Sequence, residues 1–205
     1  MASSRSVKVA LLGSGLVALA VAALIFRGGR TAPAPESPSE APPGWELAGS
    51  RIEDYEVSLD PNGGRRGGSA LRIASIVEEA PGYGGVARQV DPAPFRGRRL
   101  TLSASVRAED VTGKAGLWLR IDTPDRRSWA LDNMLERPIR GTQGWQAYKV
   151  SLDVPQHASD LYYGAIVFGR GTVWLDDVVL REATSAEPST EPGWSRLRRR
   201  GLDFE

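Results

Sequence analysis

The sequence predicts an all-β domain, an antiparallel β-sandwich, preceded by one N-terminal transmembrane helix. Three observations predict it. Between residues 44 and 182, short runs of alternating apolar and polar residues recur. Glycine- and proline-rich turns separate these runs, and no long helical period interrupts them. About nine such runs in about 140 residues match the strand density of a sandwich, and that length suffices for a full core. Ahead of them, Val9 to Phe26 is free of charge and mostly aliphatic. As a helix, those roughly 18 positions cover about 27 Å, close to the hydrocarbon thickness of a bilayer.

The N-terminal segment, residues 1–27, reads as an uncleaved signal-anchor. A cleaved signal peptide is the alternative, but the late small-x-small site, Ala32-Pro33-Ala34, lies well past the apolar end and beyond Arg27 and Arg30. Arg5 and Lys8 precede the segment and Arg27 and Arg30 follow it. The positive-inside count is therefore nearly tied, and a short basic N-terminus favours export of the domain. The expected location is the cell membrane, single-pass, with the domain on the extracytoplasmic side. Ala10, Ser14, Ala18 and Ala22 form a small-residue stripe within this segment. Such stripes permit close helix approach and are also common by chance.

Residues 28–43 form a linker rich in Pro, Ala, Ser and Glu, with almost nothing to bury. The strands follow over 45–48, 55–59, 70–76, 85–90, 99–107, 115–122, 145–152, 161–168 and 172–181. The clearest is 99–107. There Leu100, Leu102, Ala104 and Val106 face in, and Thr101, Ser103 and Ser105 face out. Leu161–Phe168 is apolar on both faces, which suits a central strand under a second layer. Trp45, Trp145 and Trp174 sit beside aliphatic neighbours and are expected in the core. Residues 183–205 lose the pattern and read as a disordered tail; their arginines are offset by acids.

Composition narrows the function. The chain carries 26 Lys+Arg against 25 Asp+Glu, and this balance holds within 44–182, so nothing resembles the basic footprint of a nucleic-acid binder. There is no Cys, hence no disulfide framework, thiolate metal site or Cys nucleophile. The single histidine, His157, lies in a predicted loop without an orienting partner. No arrangement of carboxylates marks a hydrolase, so the domain is expected to bind rather than to catalyse.

The binding residues are expected between Ala115 and Thr142. Alternation puts Trp118, Arg120 and Asp122 on one strand face and Leu117, Leu119 and Ile121 on the other. A Trp beside fixed Arg and Asp groups suits a polar ligand with flat apolar patches, such as a sugar. The alternative places Trp118 in the core of a second layer, with Arg120 and Asp122 as a surface pair worth under about 1 kcal/mol. Trp129, Asp132, Asn133, Arg137 and Arg140 form either a wall of that site or a connection held by its own hydrogen bonds.

Several segments carry a resemblance. Gly44-Trp45, Gly68-Ser69-Ala70-Leu71, Arg99 to Arg107, Trp145-Gln146-Ala147-Tyr148, Leu152-Asp153-Val154-Pro155 and Val173 to Val178 recur in the order seen in jelly-roll carbohydrate-binding modules of the galactose-binding-like group. The stretch from Leu131 to Trp145 resembles an uncharacterised bacterial subgroup, some of whose members are attached to regulators or envelope proteins. The resemblance implies a jelly-roll sandwich over 44–182 and a carbohydrate or glycan ligand, with an envelope protein partner as the alternative. It also implies a structural calcium at Asp176 and Asp177; the alternative is that one Asp accepts hydrogen bonds from loop amides and the other is solvated. Calcium needs six to eight oxygens, so further ligands such as Glu46 would have to join them.

Overall fold

The computed structural model describes residues 40–199. The transmembrane helix and most of the linker fall outside the described residues. Among the described residues, no helix is long and apolar enough to cross a membrane.

The strands are β1 (Glu46–Gly49), β2 (Tyr55–Asp60), β3 (Ala70–Ser75), β4 (Tyr83–Val90), β5 (Arg99–Thr123), β6 (Arg126–Asp132), β7 (Ile139–Asp153), β8 (Asp160–Phe168) and β9 (Thr172–Glu182). All their pairings are antiparallel. The pivot is β5. Its first part, 99–109, pairs with β7 and β9, and its second part, 114–122, pairs with β8. Two half-sheets result: β2-β3-β9-β5-β7, and β1-β4-β8-β5-β6.

Alternation alone reads β5 as two strands, with a polar break from Ala108 to Lys114. The structure instead runs the chain through that break as one bulged strand. Register shifts fall between Val106 and Ala115, and Asp110 adopts φ 51°. Bulges bend a strand and raise its twist, which lets β5 serve both half-sheets. Its two parts feed one core. Leu100 and Leu102 come from the first, Leu117, Leu119 and Ile121 from the second, and all are fully buried among Val57, Ile73, Val86, Leu161 and Val173.

Two sequence expectations are corrected. Arg126–Asp132, expected in a connection, forms strand β6 against β5 across a two-residue turn at Pro124-Asp125. Its polar start hid it, as did Ser128, whose positive φ of 53° breaks the period of two. Residues 183–199, expected as a disordered tail, lie against the domain and end in a short helix, α1 (Gly193–Arg199). Ser189 and Thr190 bond to Ser151 of β7, and this contact buries Ser151 and its cross-strand partner Thr101.

Glu187 anchors that segment. Its carboxylate accepts both terminal nitrogens of Arg181, at 2.8 and 2.7 Å, the amide of Thr184 and the ammonium of Lys149. These bonds, Arg181 foremost, hold its pKa far below the usual carboxylate range. A depressed folded pKa stabilises the fold above the unfolded value, near 4.5, and that contribution fades as pH falls below it. Glu187→Gln should therefore lower Tm at neutral pH, with the gap to wild type narrowing steadily below about pH 4.5. Thermal melts of both proteins across pH check this.

Candidate ligand-binding groove

The outer face of the second half-sheet carries the site. Gly116, Trp118, Arg120 and Asp122 of β5 point away from the core, because Leu117, Leu119 and Ile121 point into it. The register then sets the neighbours. Trp118 stands opposite Gly164 of β8, Arg120 opposite Tyr162, and Ala87 of β4 opposite Gly164 on its other side. The Trp118 indole reaches over β8: its Nε1 donates to the Val86 carbonyl of β4 at 3.2 Å. Gly164 makes room for this crossing. A Cβ there would lie 2.9 Å from Nε1 and 1.8 Å from the Val86 oxygen.

A groove of about 470 Å³ lies on this face, a size suited to a small ligand or a few sugar rings. Its floor is aromatic. Trp118, Tyr162, Tyr83 and Phe168 line it, the last two with ring centroids 5.0 Å apart. One wall comes from β1 through Glu46 and Ala48; the other comes from β6 and its exit, through Arg127, Ser128, Leu131 and Asn133. Arg120 lies over the Tyr162 ring at 4.4 Å, with its Nε 3.0 Å from Asp122 Oδ1. Asp122 Oδ1 also accepts the Ser128 amide at 2.7 Å, which ties the β6 wall to the floor.

Buried polar atoms are normally hydrogen-bonded. Among the described residues three buried side-chain atoms have no hydrogen-bond partner: Arg107 Nε, Arg120 Nε and Asn133 Oδ1. Two of these three belong to the groove. Arg120 Nε is balanced in charge by Asp122, without an aligned hydrogen bond. Asn133 Oδ1 is an acceptor left open.

The residues expected at the site divide accordingly. Trp118, Arg120 and Asn133 line the groove. Trp118 is not the solvent-facing platform that alternation implies, nor is it in the main core. It is 9% exposed and packs with Ala87 and Ile166 in a separate cluster on the outer face. Asp122 sits beneath, as the partner of Arg120 and Ser128. Trp129 packs at the edge of the main core, edge-on to His157 at 6.2 Å.

Asp132, Arg137 and Arg140 hold the structure rather than a ligand. Asp132 is 1% exposed and accepts the Met134 amide, a forked pair from Arg137 at 3.1 and 2.6 Å, and the Thr190 hydroxyl. Arg140 donates to the Gly113 carbonyl. The two arginines that a protein-docking loop would present are thus turned onto their own chain. Asp132→Ala leaves several donors without an acceptor, and a stability loss of about 3 kcal/mol is expected, measurable by urea denaturation.

The calcium expected at Asp176 and Asp177 does not fit. Asp176 accepts the Arg65 and Asp177 amides, while Asp177 pairs with Arg66 at 2.7 Å and Arg65 at 3.5 Å. Desolvation opposes ionisation of Asp177, but Arg66, with help from Arg65 and Ser105, outweighs it and holds the pKa below the ordinary value. Guanidinium groups and amide donors already surround these carboxylates. Among the described residues no three His, Cys, Asp or Glu side chains come together to hold a metal. Glu46, a candidate further ligand, lies in the groove on the other half-sheet.

The expected core tryptophans also separate. Trp45 packs on the core, edge-on to Tyr163. Trp174 lies on the outer face of the first half-sheet, opposite Arg107, which stacks on it at 3.9 Å and faces Trp145 at 5.9 Å. Sequence reasoning missed the groove residues of β4 and β8. Tyr162, Gly164, Ile166 and Phe168 form one alternating face, and a strand apolar on both faces was the available signal.

No family model matches the chain. It is 32% identical over 148 residues, 72% of its length, to an uncharacterized HTH-type transcriptional regulator of Bacillus subtilis (strain 168), YbfP. The chain spans 50% of that curated relative. Among solved structures, the CBM22-1 xylan-binding domain of Paenibacillus barcinonensis Xyn10C superposes with a TM-score of 0.51 at 14% identity, covering 71% of this chain and 90% of that one. The CBM22-1–GH10 modules of Clostridium thermocellum xylanase 10B, complexed with xylohexaose, give 0.50 at 13% identity, covering 72% and 27%. The enzymatically active domain of bacteriophage CBA120 tailspike protein 4 gives 0.52 at 13% identity, covering 69% and 20%. The chain has the jelly-roll fold of the carbohydrate-binding modules.

Proposed function

We propose that the domain binds a glycan in the groove on the β1-β4-β8-β5-β6 face, and that it binds without catalysing. The observation that carries this is the pairing of an aromatic floor with a buried acceptor that has no hydrogen-bond partner, Asn133 Oδ1, beside the Arg120–Asp122 ion pair. Sugar rings present flat apolar faces and rims of hydroxyls. Aromatic side chains bury the first at low entropic cost, and fixed polar groups meet the second. Four aromatic rings line the groove and would meet such faces, and the open acceptor would meet a hydroxyl. Among the described residues the groove lining holds one carboxylate, Glu46, with Asp122 beneath it, committed to Arg120 and Ser128. Neither forms the opposed pair that glycoside hydrolysis requires. The xylan-binding neighbour supports β-1,4-xylo-oligosaccharides as the first ligands to try.

We further propose that residues 1–27 anchor the domain in the cell membrane with the groove on the extracytoplasmic side. A second reading rests on the regulator relative. There the shared region makes up half of an uncharacterized transcriptional regulator, and in such a setting ligand binding in the groove would serve as a sensing input. Both readings use the same groove. The test is a glycan array probed with the full chain, with calcium and with chelator. Retention of xylo-oligosaccharides or related β-glycans, unchanged by chelator, is the expected result. An array on which a folded chain retains no glycan overturns the reading.

A further inference from the structure

The β6 wall of the groove is an edge strand. Its inner neighbour is β5, and among the described residues its other side has no strand partner. An edge strand held on one side only opens easily, yet this one carries Arg127, Ser128 and Leu131 into the groove and leads to Asn133. On its free side Thr190 and Ser195 of the C-terminal segment reach it, and α1 packs against it.

Two hydroxyls make the connection. Thr190 Oγ1 accepts the Ser151 amide of β7 at 2.8 Å and donates to Asp132 Oδ2, the last residue of β6, at 2.6 Å. The Thr190 amide in turn donates to the Ser151 carbonyl at 2.8 Å. One threonine thus joins the free edge of β7, on the first half-sheet, to the end of β6, on the second. Five residues on, in α1, the pattern repeats. Ser195 Oγ accepts the Leu131 amide of β6 at 3.1 Å and donates to Glu191 Oε1 at 2.9 Å. Ser195 and Glu191 are 3% and 6% exposed, so water competes little for these bonds. Upstream, Glu187 fixes the segment to Arg181 and Lys149 on the first half-sheet.

We infer that Thr190 and Ser195 are positioning residues for the groove: the C-terminal strap holds the β6 wall, and with it Leu131 and Asn133, where a ligand meets them. Neither hydroxyl touches the groove itself. Both act through backbone and carboxylate groups of the residues that flank its lining. The geometry also carries the binding unit past the end of β9, to include Thr190 and Ser195. The link to ligand binding rests on the glycan reading; the link to the wall does not.

The test uses the full chain and three variants, Thr190→Val, Ser195→Ala and Thr190→Ser. Two quantities are read: amide hydrogen exchange at Ser128 and Met134, whose amides do not touch the strap, and affinity for xylohexaose by calorimetry. Thr190→Val and Ser195→Ala should each speed exchange at these amides and weaken xylohexaose about fivefold, the worth of one hydrogen bond. Thr190→Ser, which keeps the hydroxyl, should match wild type in both. Exchange unchanged in both Thr190→Val and Ser195→Ala overturns the inference. Faster exchange with unchanged affinity overturns its link to the ligand. If the wild type does not bind xylohexaose, the glycan reading fails for that sugar, and exchange alone decides whether the strap holds the wall.

Discussion

Trp118→Ala should abolish most glycan binding, weakening it by about 30-fold or more, the usual effect of removing a buried aromatic anchor. Trp118 is the largest side chain of the groove floor. It spans β8 and fixes itself to β4 through the Val86 carbonyl, so its ring is held in place before a ligand arrives. That preorganisation lowers the entropic cost of binding. The same change costs stability, about 3 kcal/mol by comparison with other buried Trp→Ala changes. The main core stays intact, because Trp118 packs with Ala87 and Ile166 outside it. Trp118→Phe separates the two effects. It keeps an aromatic ring on the floor but loses the Nε1 hydrogen bond, and should bind more weakly than wild type yet better than alanine. Calorimetry on all three, each checked by near-ultraviolet circular dichroism, measures the series. Equal affinity of wild type and Trp118→Ala would remove Trp118 from the site.

Gly164→Ala should cost the most stability for the smallest change. A glycine in a strand normally gains from replacement by alanine, by roughly 0.5–1 kcal/mol, because the unfolded chain loses freedom. Here the sign reverses. The added carbon would stand 1.8 Å from the Val86 oxygen, a backbone atom within the β4–β8 pair, and 2.9 Å from Trp118 Nε1. A flexible side chain could yield; two paired strands cannot without parting. The cost of such overpacking is about 3 kcal/mol, well above the entropic gain. The methyl group also displaces the indole, so affinity falls together with Tm. Thermal melts and xylohexaose titration of Gly164→Ala check both. A Tm equal to or above wild type would show that β4 and β8 do not approach this closely.

The sequence made the alternating face of β5 legible, because Leu117, Leu119 and Ile121 against Trp118, Arg120 and Asp122 is a clean period of two. That pattern located the groove floor. It could not reveal the other strands that share the floor. Tyr162 and Phe168 reach it only through the register of β8 against β5, a long-range property that no local pattern encodes. The bend in β5 was hidden for a related reason: bulges at Ala108–Lys114 look like a turn when only local residue types are read. The strap was missed because its anchors, Glu187, Thr190 and Ser195, are polar. Polar residues in a Pro-containing stretch read as tail, unless their partners Arg181, Asp132 and Leu131 are known to lie alongside. At Asp176 and Asp177 the resemblance implies a cation, whereas the fold brings the guanidinium groups of Arg65 and Arg66 to Asp177 and two backbone amides to Asp176. Arg65 and Arg66 lie 112 and 111 residues from Asp177 in the chain, and no local pattern reveals them.

The indole N–H resonances of the protein test the central claim most directly. Trp118 Nε1 lies in the groove, bonded to Val86, whereas Trp174 Nε1 lies on the opposite half-sheet, bonded to Asp60 at 2.9 Å. During titration with xylohexaose, followed by proton–nitrogen correlation spectra, the Trp118 indole signal should move with the amides of Tyr162 and Asn133, while that of Trp174 stays in place. Movement of the Trp174 signal with a stationary Trp118 would contradict the groove as the binding site and place recognition on the Arg107 face.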